Sequence, residues 1–539
     1  MTNIAELSLR EFIKQHISDV SEKYTNTCLT YFDAITSGKE EAYTTYADAS
    51  LQIDKIYANK HDFAKIKSFM AMEEIEDALL KRELEMLFLS YQAKQIDEKR
   101  LEALIGLQNT IESTFATFRP EIDGKQYTDN TIEEILSTST DSEEVKKAWL
   151  ASKTIGSVVS HNVIQIVKMR NEVAQELGYE NYHTMSLQLD EQDPEEISNL
   201  FDELDTLTRD AFIKEKNEID LYLAKKFGIE KIDLMPWHYQ NRYFQEAPKI
   251  YTIDIDKYYK DQDIVELSSK YYNSIGLPVT SVLANSDLYE REGKYQHACC
   301  IHMDKMGDVR IVCNIKPNTK WMNTQLHELG HAVYDKYLDE KTSYILRDPA
   351  HTFTTEAIAM MFGRFASNPQ WIQDMLGISD DEKQKIADAC FSTLRLEQLV
   401  SSRWMQVMYR FEKNMYADPD QDLNALWWNL VEKYQMMKCP EGRNEPDRAS
   451  KIHVACYPCY YHNYQLGELL ASQIYYYIIE HILKSNEYQF QSFYNMPKVG
   501  TYLKEKIFHA GRKYHWNTMI ESATGEKLTP KYYAKQFVY

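Results

Sequence analysis

Apolar positions return at helical spacing along most of this chain. In MEEIEDALLKRELEMLFLSYQAKQ (72–95) they fall three or four residues apart between charged positions, the period of a helix with one buried face. Residues 1 to about 115 read this way throughout, as a surface lid or a plain helical layer. PEIDGKQYTDN (120–130) marks a turn, and helical spacing resumes in DSEEVKKAWLASKTIGSVVSHNVIQIVKMRNEVAQELGY (141–179). Asp141 or Ser142 is its candidate N-cap, because a short polar side chain can accept from the free N–H groups of a first turn. The period changes at HACCIHM (297–303) and VRIVCNI (309–315), with a turn at Asp304–Gly307 between them. These predict a small antiparallel ribbon. From Asn323 onward helical spacing continues to the carboxyl end. No repeat or low-complexity linker divides the chain, so one helical domain over 1–539 is expected.

Composition sharpens this picture. Glycine (17) and proline (14) in 539 residues are roughly half their average usage, which favours long helices over a turn-rich β chain. The formal charge of −21 would repel phosphate backbones, so no nucleic-acid partner is expected and short peptides fit better. No run of 18 or more apolar residues occurs, and MTNIAELSLREFIKQH lacks the basic start and apolar stretch of a signal peptide. A cytoplasmic protein without membrane contact is the expectation. The eight cysteines are too sparse for a disulfide scaffold, and Cys456-x-x-Cys459 has no second close pair to complete a zinc knuckle. Oligomeric state is not legible.

TQLHELGHAVYD (324–335) carries the chemistry. On a helix His327 and His331 share a face and can present imidazole nitrogens to one ion, while Glu328 points beside it. Catalytic zinc takes three protein ligands and keeps one open position, and Glu356 in HTFTTEAIAMMFGRF lies on a second helical segment able to return antiparallel. Leu326, Leu329, Gly330 and Val333 bury the first helix and set a small residue where its partner must come close. His302, His351 and Asp335 read as structural or supporting groups.

The chain resembles the angiotensin-converting-enzyme family of zinc peptidyl-dipeptidases. The resemblance rests on DVRIVCNIKPNTKWMNTQLHELGH, TEAIAMM, the stretch from AWLASK to MRNEVAQELGYENY, and HWNTMIESATGEKLTPKYYAKQF. It covers roughly residues 140–539. It implies a mainly α gluzincin fold, two helical lobes around a deep substrate cleft with a β ribbon beside the zinc helix, and one Zn2+ per chain on His327, His331 and Glu356. It also implies Glu328 as general base, His297-Ala298 on an edge strand binding substrate backbone, and Lys451 holding the substrate's terminal carboxylate. His453 would contact the scissile region, with Tyr460 and Tyr464 binding the carboxylate and the transition state. The edge and zinc elements then span 297–364, and the substrate segment 445–470.

The tyrosine run YPCYYHNYQLGELL also resembles that of the thimet oligopeptidase and oligoendopeptidase F relatives, in which Tyr457 and Tyr464 would be the paired tyrosines. That likeness implies cleavage of internal bonds. Three departures from the first family stand out. Asn463 replaces the arginine of chloride-activated members, so chloride activation is not expected. Met360 replaces an aspartate that supports the metal, and Gln296 stands opposite Cys313 where the family has a disulfide.

Overall fold

The computed structural model describes residues 3–251 and 253–539. Its regular elements are helical apart from two antiparallel sheets of two strands each, the mainly α fold that the spacing predicts. The chain forms two compact units, each assembled from three stretches. The first comprises Met1–Gln95, Ile253–Phe391 and Leu466–Tyr533; the second comprises Ile96–Thr252, Ser392–Gln465 and Ala534–Tyr539. No helix is long and apolar enough to cross a membrane among the described residues.

In the first unit, Asn3 caps the helix Ile4–Ser37 by accepting from the N–H groups of Ala5 and Glu6, and Gly38 ends it at φ 66°, a conformation that glycine adopts without steric cost. Leu80, Leu84, Leu87 and Tyr91 form one stripe of the helix Ala78–Gln92 and pack on Leu9, Ile13, Phe63 and Ile66. Each such side chain contributes about 1.5–3 kcal/mol by leaving water. The amino-terminal helices up to Gln95 therefore have a core of their own. Farther along the first helix, Ile35 packs on the ribbon through Ile301, Met303 and Val312.

That ribbon consists of Cys299–His302 paired with Val309–Val312, shorter than the predicted 297–303 and 309–315. The cause lies in where the backbone donors go: Cys313 and Ile315 give their N–H groups to the carbonyls of Asp287 and Leu288. The turn between the strands closes as expected, with Asp304 accepting from the N–H groups of Met306 and Asp308. PEIDGKQYTDN does more than turn: Glu121–Ile122 and Lys125–Gln126 pair around Asp123 and Gly124, which sit at φ 51° and 79°.

In the second unit the helix Ser142–Glu176 starts at Asp141, which accepts from the N–H groups of Glu143 and Glu144. Its Gly156 lets residues 446–450 pass close by, since a Cβ there would meet the Pro446 carbonyl oxygen at 2.5 Å.

Within the first unit the helices Thr319–Lys336 and Thr352–Gly363 cross backbone to backbone. A Cβ at Gly330 would lie 2.6 Å from the Ala359 Cα, closer than any side chain tolerates. Gly330→Ala should therefore destabilise the protein by about 1–3 kcal/mol. Gly106→Ala, with nothing within 4 Å of the new atom, should be neutral or stabilise by up to about 1 kcal/mol. Urea denaturation midpoints of the two variants check this contrast.

Candidate metal centre

The helix carrying HELGH begins at Asn318, whose side chain accepts from the Trp321 N–H. Three ties fasten it antiparallel to the helix Thr352–Gly363. Asn323 donates to the Gly363 carbonyl at 2.9 Å, Gly330 meets Ala359, and the Tyr334 hydroxyl accepts from the Ala350 N–H and the Thr354 hydroxyl. His351 caps the second helix by accepting from the Phe353 N–H, which agrees with its structural reading.

This lacing brings His327, His331 and Glu356 together. One ligand atom from each lies within 4.8 Å of the other two. The two Nε2 atoms are 3.2 Å apart, and each is 3.7 Å from Glu356 Oε2. Donors about 2.0–2.2 Å from one tetrahedrally held zinc ion would stand roughly 3.3–3.5 Å from one another, so the three atoms fit such an ion with little movement.

The electrostatics point the same way. Burial pushes the Glu356 carboxyl up to about 7 and that of Glu328 up to about 8, the Glu356 charge adding to the second shift. Burial also pushes His327 down to about 4 and His331 well below its ordinary value. The imidazoles therefore offer lone pairs rather than positive charge, and a bound cation is what would offset the buried carboxylates. Glu328 is itself 7% exposed, next to a ligand on the same helix.

Met360 left open what supports the ligands, and the structure answers with Thr355. Its hydroxyl lies 2.8 Å from His331 Nδ1, so the ring is held through the nitrogen opposite the one aimed at Glu356. Gly467 closes the other side, where a Cβ would stand 3.2 Å from both Glu356 Cβ and Met360 Sδ. Nothing in the sequence spacing singles out Thr355, because its contact depends on the crossing.

On the ribbon, Cys299–His302 is paired on one side only among the described residues. Ala298 is half-buried and His297 exposed, both just ahead of the strand, with the His297 ring 5.2 Å from that of Tyr295. Cys313 is buried, Gln296 donates to the Lys294 carbonyl, and all eight cysteines are unpaired.

The remaining candidates lie in the second unit. Lys451 is 8% exposed rather than solvated, and its Nζ donates to Gln245 Oε1 at 2.7 Å. The rings of Tyr243, Trp404 and Tyr461 surround it at 5.0, 5.5 and 5.7 Å. Burial, with Arg242 adding, pushes its ammonium down to about 8. His453 packs against Tyr457 and Tyr461. Burial, with Lys451 adding, pushes it down to about 4, so its ring is neutral at pH 7. Tyr464 packs edge-on against both Tyr460 and Tyr461. Gln245 thus joins the predicted residues, in an irregular segment that no period marks, and of Tyr457, Tyr460 and Tyr461, which the sequence leaves as alternatives, Tyr461 stands at Lys451. Asn463 accepts from Gln192, whose carbonyl oxygen meets His462 Nε2 at 2.6 Å.

Thr355→Val should weaken metal retention about 10–100-fold, the usual effect of losing a group that orients a ligand. Thr355→Ser should retain it. Metal loss to a competing chelator, followed by atomic absorption, checks both.

Comparison with known proteins agrees with this geometry. A family of peptidases, M2, described as angiotensin-converting enzyme, matches residues 4–533. A curated relative from Caenorhabditis elegans, named inactive angiotensin-converting enzyme-related protein, is 25% identical over 134 residues. That match covers 24% of this chain and 15% of the relative.

Proposed function

Because this chain belongs to the angiotensin-converting-enzyme family of peptidases, we propose that it is an active zinc peptidyl-dipeptidase, releasing dipeptides from the free carboxyl ends of short peptides. The observation that carries the reading is the convergence of His327, His331 and Glu356 with a buried glutamate, Glu328, beside the first ligand. The worm relative is named inactive, but this chain has both the ligand trio and the glutamate that a peptidase needs.

Zinc, when bound, supplies Lewis acidity that polarises a carbonyl and makes water a nucleophile near neutral pH. The chain's own groups do the rest. Glu328 takes a proton from the attacking water at its carboxylate and returns it to the leaving nitrogen. Tyr464 and the neutral His453 are assigned by their motif to donate hydrogen bonds to the carbonyl oxygen as negative charge develops there. Losing one such donor costs about 10²–10³ in rate. Lys451 and Gln245 hold the substrate's terminal carboxylate, the ammonium by charge and the amide by its N–H group. Lys451 is suited to this because burial strengthens a charge-assisted hydrogen bond. Tyr461 flanks it, with Tyr460 on the adjacent ring. His297-Ala298 and the unpaired edge that follows would pair with peptide backbone, a mode that tolerates varied side chains. Asn463 puts a neutral amide where chloride-activated members have an arginine, so activity should not depend on chloride. A cytoplasmic site of action is proposed on the sequence alone.

One observation favours a second reading, an oligoendopeptidase: Tyr457, half exposed, packs on His453 as the paired-tyrosine pattern requires. Peptides that differ only in a free or amidated carboxyl end separate the two. The dipeptidase reading predicts a loss of at least about tenfold in kcat/KM on amidation, as expected when a charge-assisted contact worth about 1.5–3 kcal/mol is removed. Undiminished cleavage would favour the oligoendopeptidase. Glu328→Gln at equal zinc content should lose nearly all hydrolysis in either case, and equal inactivity of variant and parent would refute both.

A further inference from the structure

Lys153 has no part in the chemistry described so far. It sits on the helix Ser142–Glu176 one turn before Gly156, where that helix passes close to residues 446–450. Its side chain is 4% exposed. Among the described residues no hydrogen-bond acceptor or carboxylate pairs with its ammonium. The Nζ instead stands 3.6 Å from the Tyr243 ring centroid and 5.1 Å from a Trp149 ring. Lys451 addresses the same Tyr243 ring at 5.0 Å.

Three of the acids around this place are committed elsewhere, while the exposed Glu246 acts on Lys451 through its charge. Asp447 accepts from Arg443 Nε and Nη2 at 2.7 and 2.6 Å and reaches Lys153 only through its charge. Glu133 and Asp129 accept from Arg242. The Tyr243 hydroxyl is used on the Ser450 carbonyl. A chain of net charge −21 thus gathers two buried lysines at one ring, one bonded to a neutral amide and the other to no acceptor. Burial of an unpaired charge is costly, and desolvation accordingly pushes Lys153 well below its ordinary range. A structural lysine would have been given a partner, as Lys216 is by Asp220 and Tyr239.

Resting on the dipeptidase reading, we propose that Lys153 receives the side-chain carboxylate of a substrate's last residue while Lys451 and Gln245 hold its main-chain carboxylate, so that peptides ending in glutamate or aspartate are preferred. The two carboxylates of one acidic residue lie a few ångströms apart, and both ammonium groups stand within 5.0 Å of the Tyr243 ring centroid. The aromatic walls carry the intervening methylenes.

The test uses the full-length, zinc-loaded protein and peptides identical except for a final Glu, Gln or Leu. The parent should cleave the Glu-ended peptide at least about tenfold faster in kcat/KM than the Gln-ended one, since one charge-assisted contact is gained. Calorimetry should show the same order for the dipeptides Ala-Glu and Ala-Gln. Lys153→Met and Lys153→Gln should each bring the Glu/Gln ratio to about one, and Lys153→Arg should keep part of it. Equal parent rates on Glu and Gln ends would overturn the proposal without any variant having to fold, as would a ratio unchanged in a folded Lys153→Met. Inorganic phosphate that competes with Ala-Gln as strongly as with Ala-Glu, and only while Lys153 is present, would show a free-anion site and overturn it too. Failure of the underlying reading looks different: amidated peptides would be cut undiminished whatever their last residue.

Discussion

The candidate site depends on one steric constraint, the contact of two helix backbones at Gly330 and Ala359. Ligands on separate helices can share an ion only if those helices approach more closely than ordinary side chains allow. The glycine permits the approach, and the ties at Asn323 and Tyr334 fix its direction and register. Once these are set, the positions of His327, His331 and Glu356 follow, and so does the contact between Thr355 and His331.

Burial then gives the groups their character. In the first unit it makes the histidines neutral donors and leaves two carboxyls without a positive neighbour, an arrangement that a divalent cation resolves. In the second unit it gathers Lys451 and Lys153 at the Tyr243 ring, where Glu246 and Asp447 act on them through charge without a direct bond.

Much of this was legible in the sequence. HELGH, Glu356 and the small residue at 330 were readable because i, i+4 spacing on a helix translates directly into a shared face. The buried stripe Leu80–Tyr91 was readable for the same reason. The ends of the ribbon were not, since Cys313 and Ile315 bond to residues 287–288, a choice that local pattern does not encode. Thr355 and Gln245 were missed because each acquires meaning only from what the fold brings beside it, and the sequence left open which of Tyr457, Tyr460 and Tyr461 binds substrate. Lys153 was quoted within a helical stretch, and only its burial without a partner singles it out.

The central claim is that three side chains on two crossing helices hold one zinc ion. Anomalous diffraction at the zinc edge from crystals of the zinc-loaded protein tests it most directly. The account predicts one strong peak within about 2.0–2.2 Å of His327 Nε2, His331 Nε2 and a Glu356 carboxylate oxygen. A peak elsewhere, with none among these three groups, would contradict it.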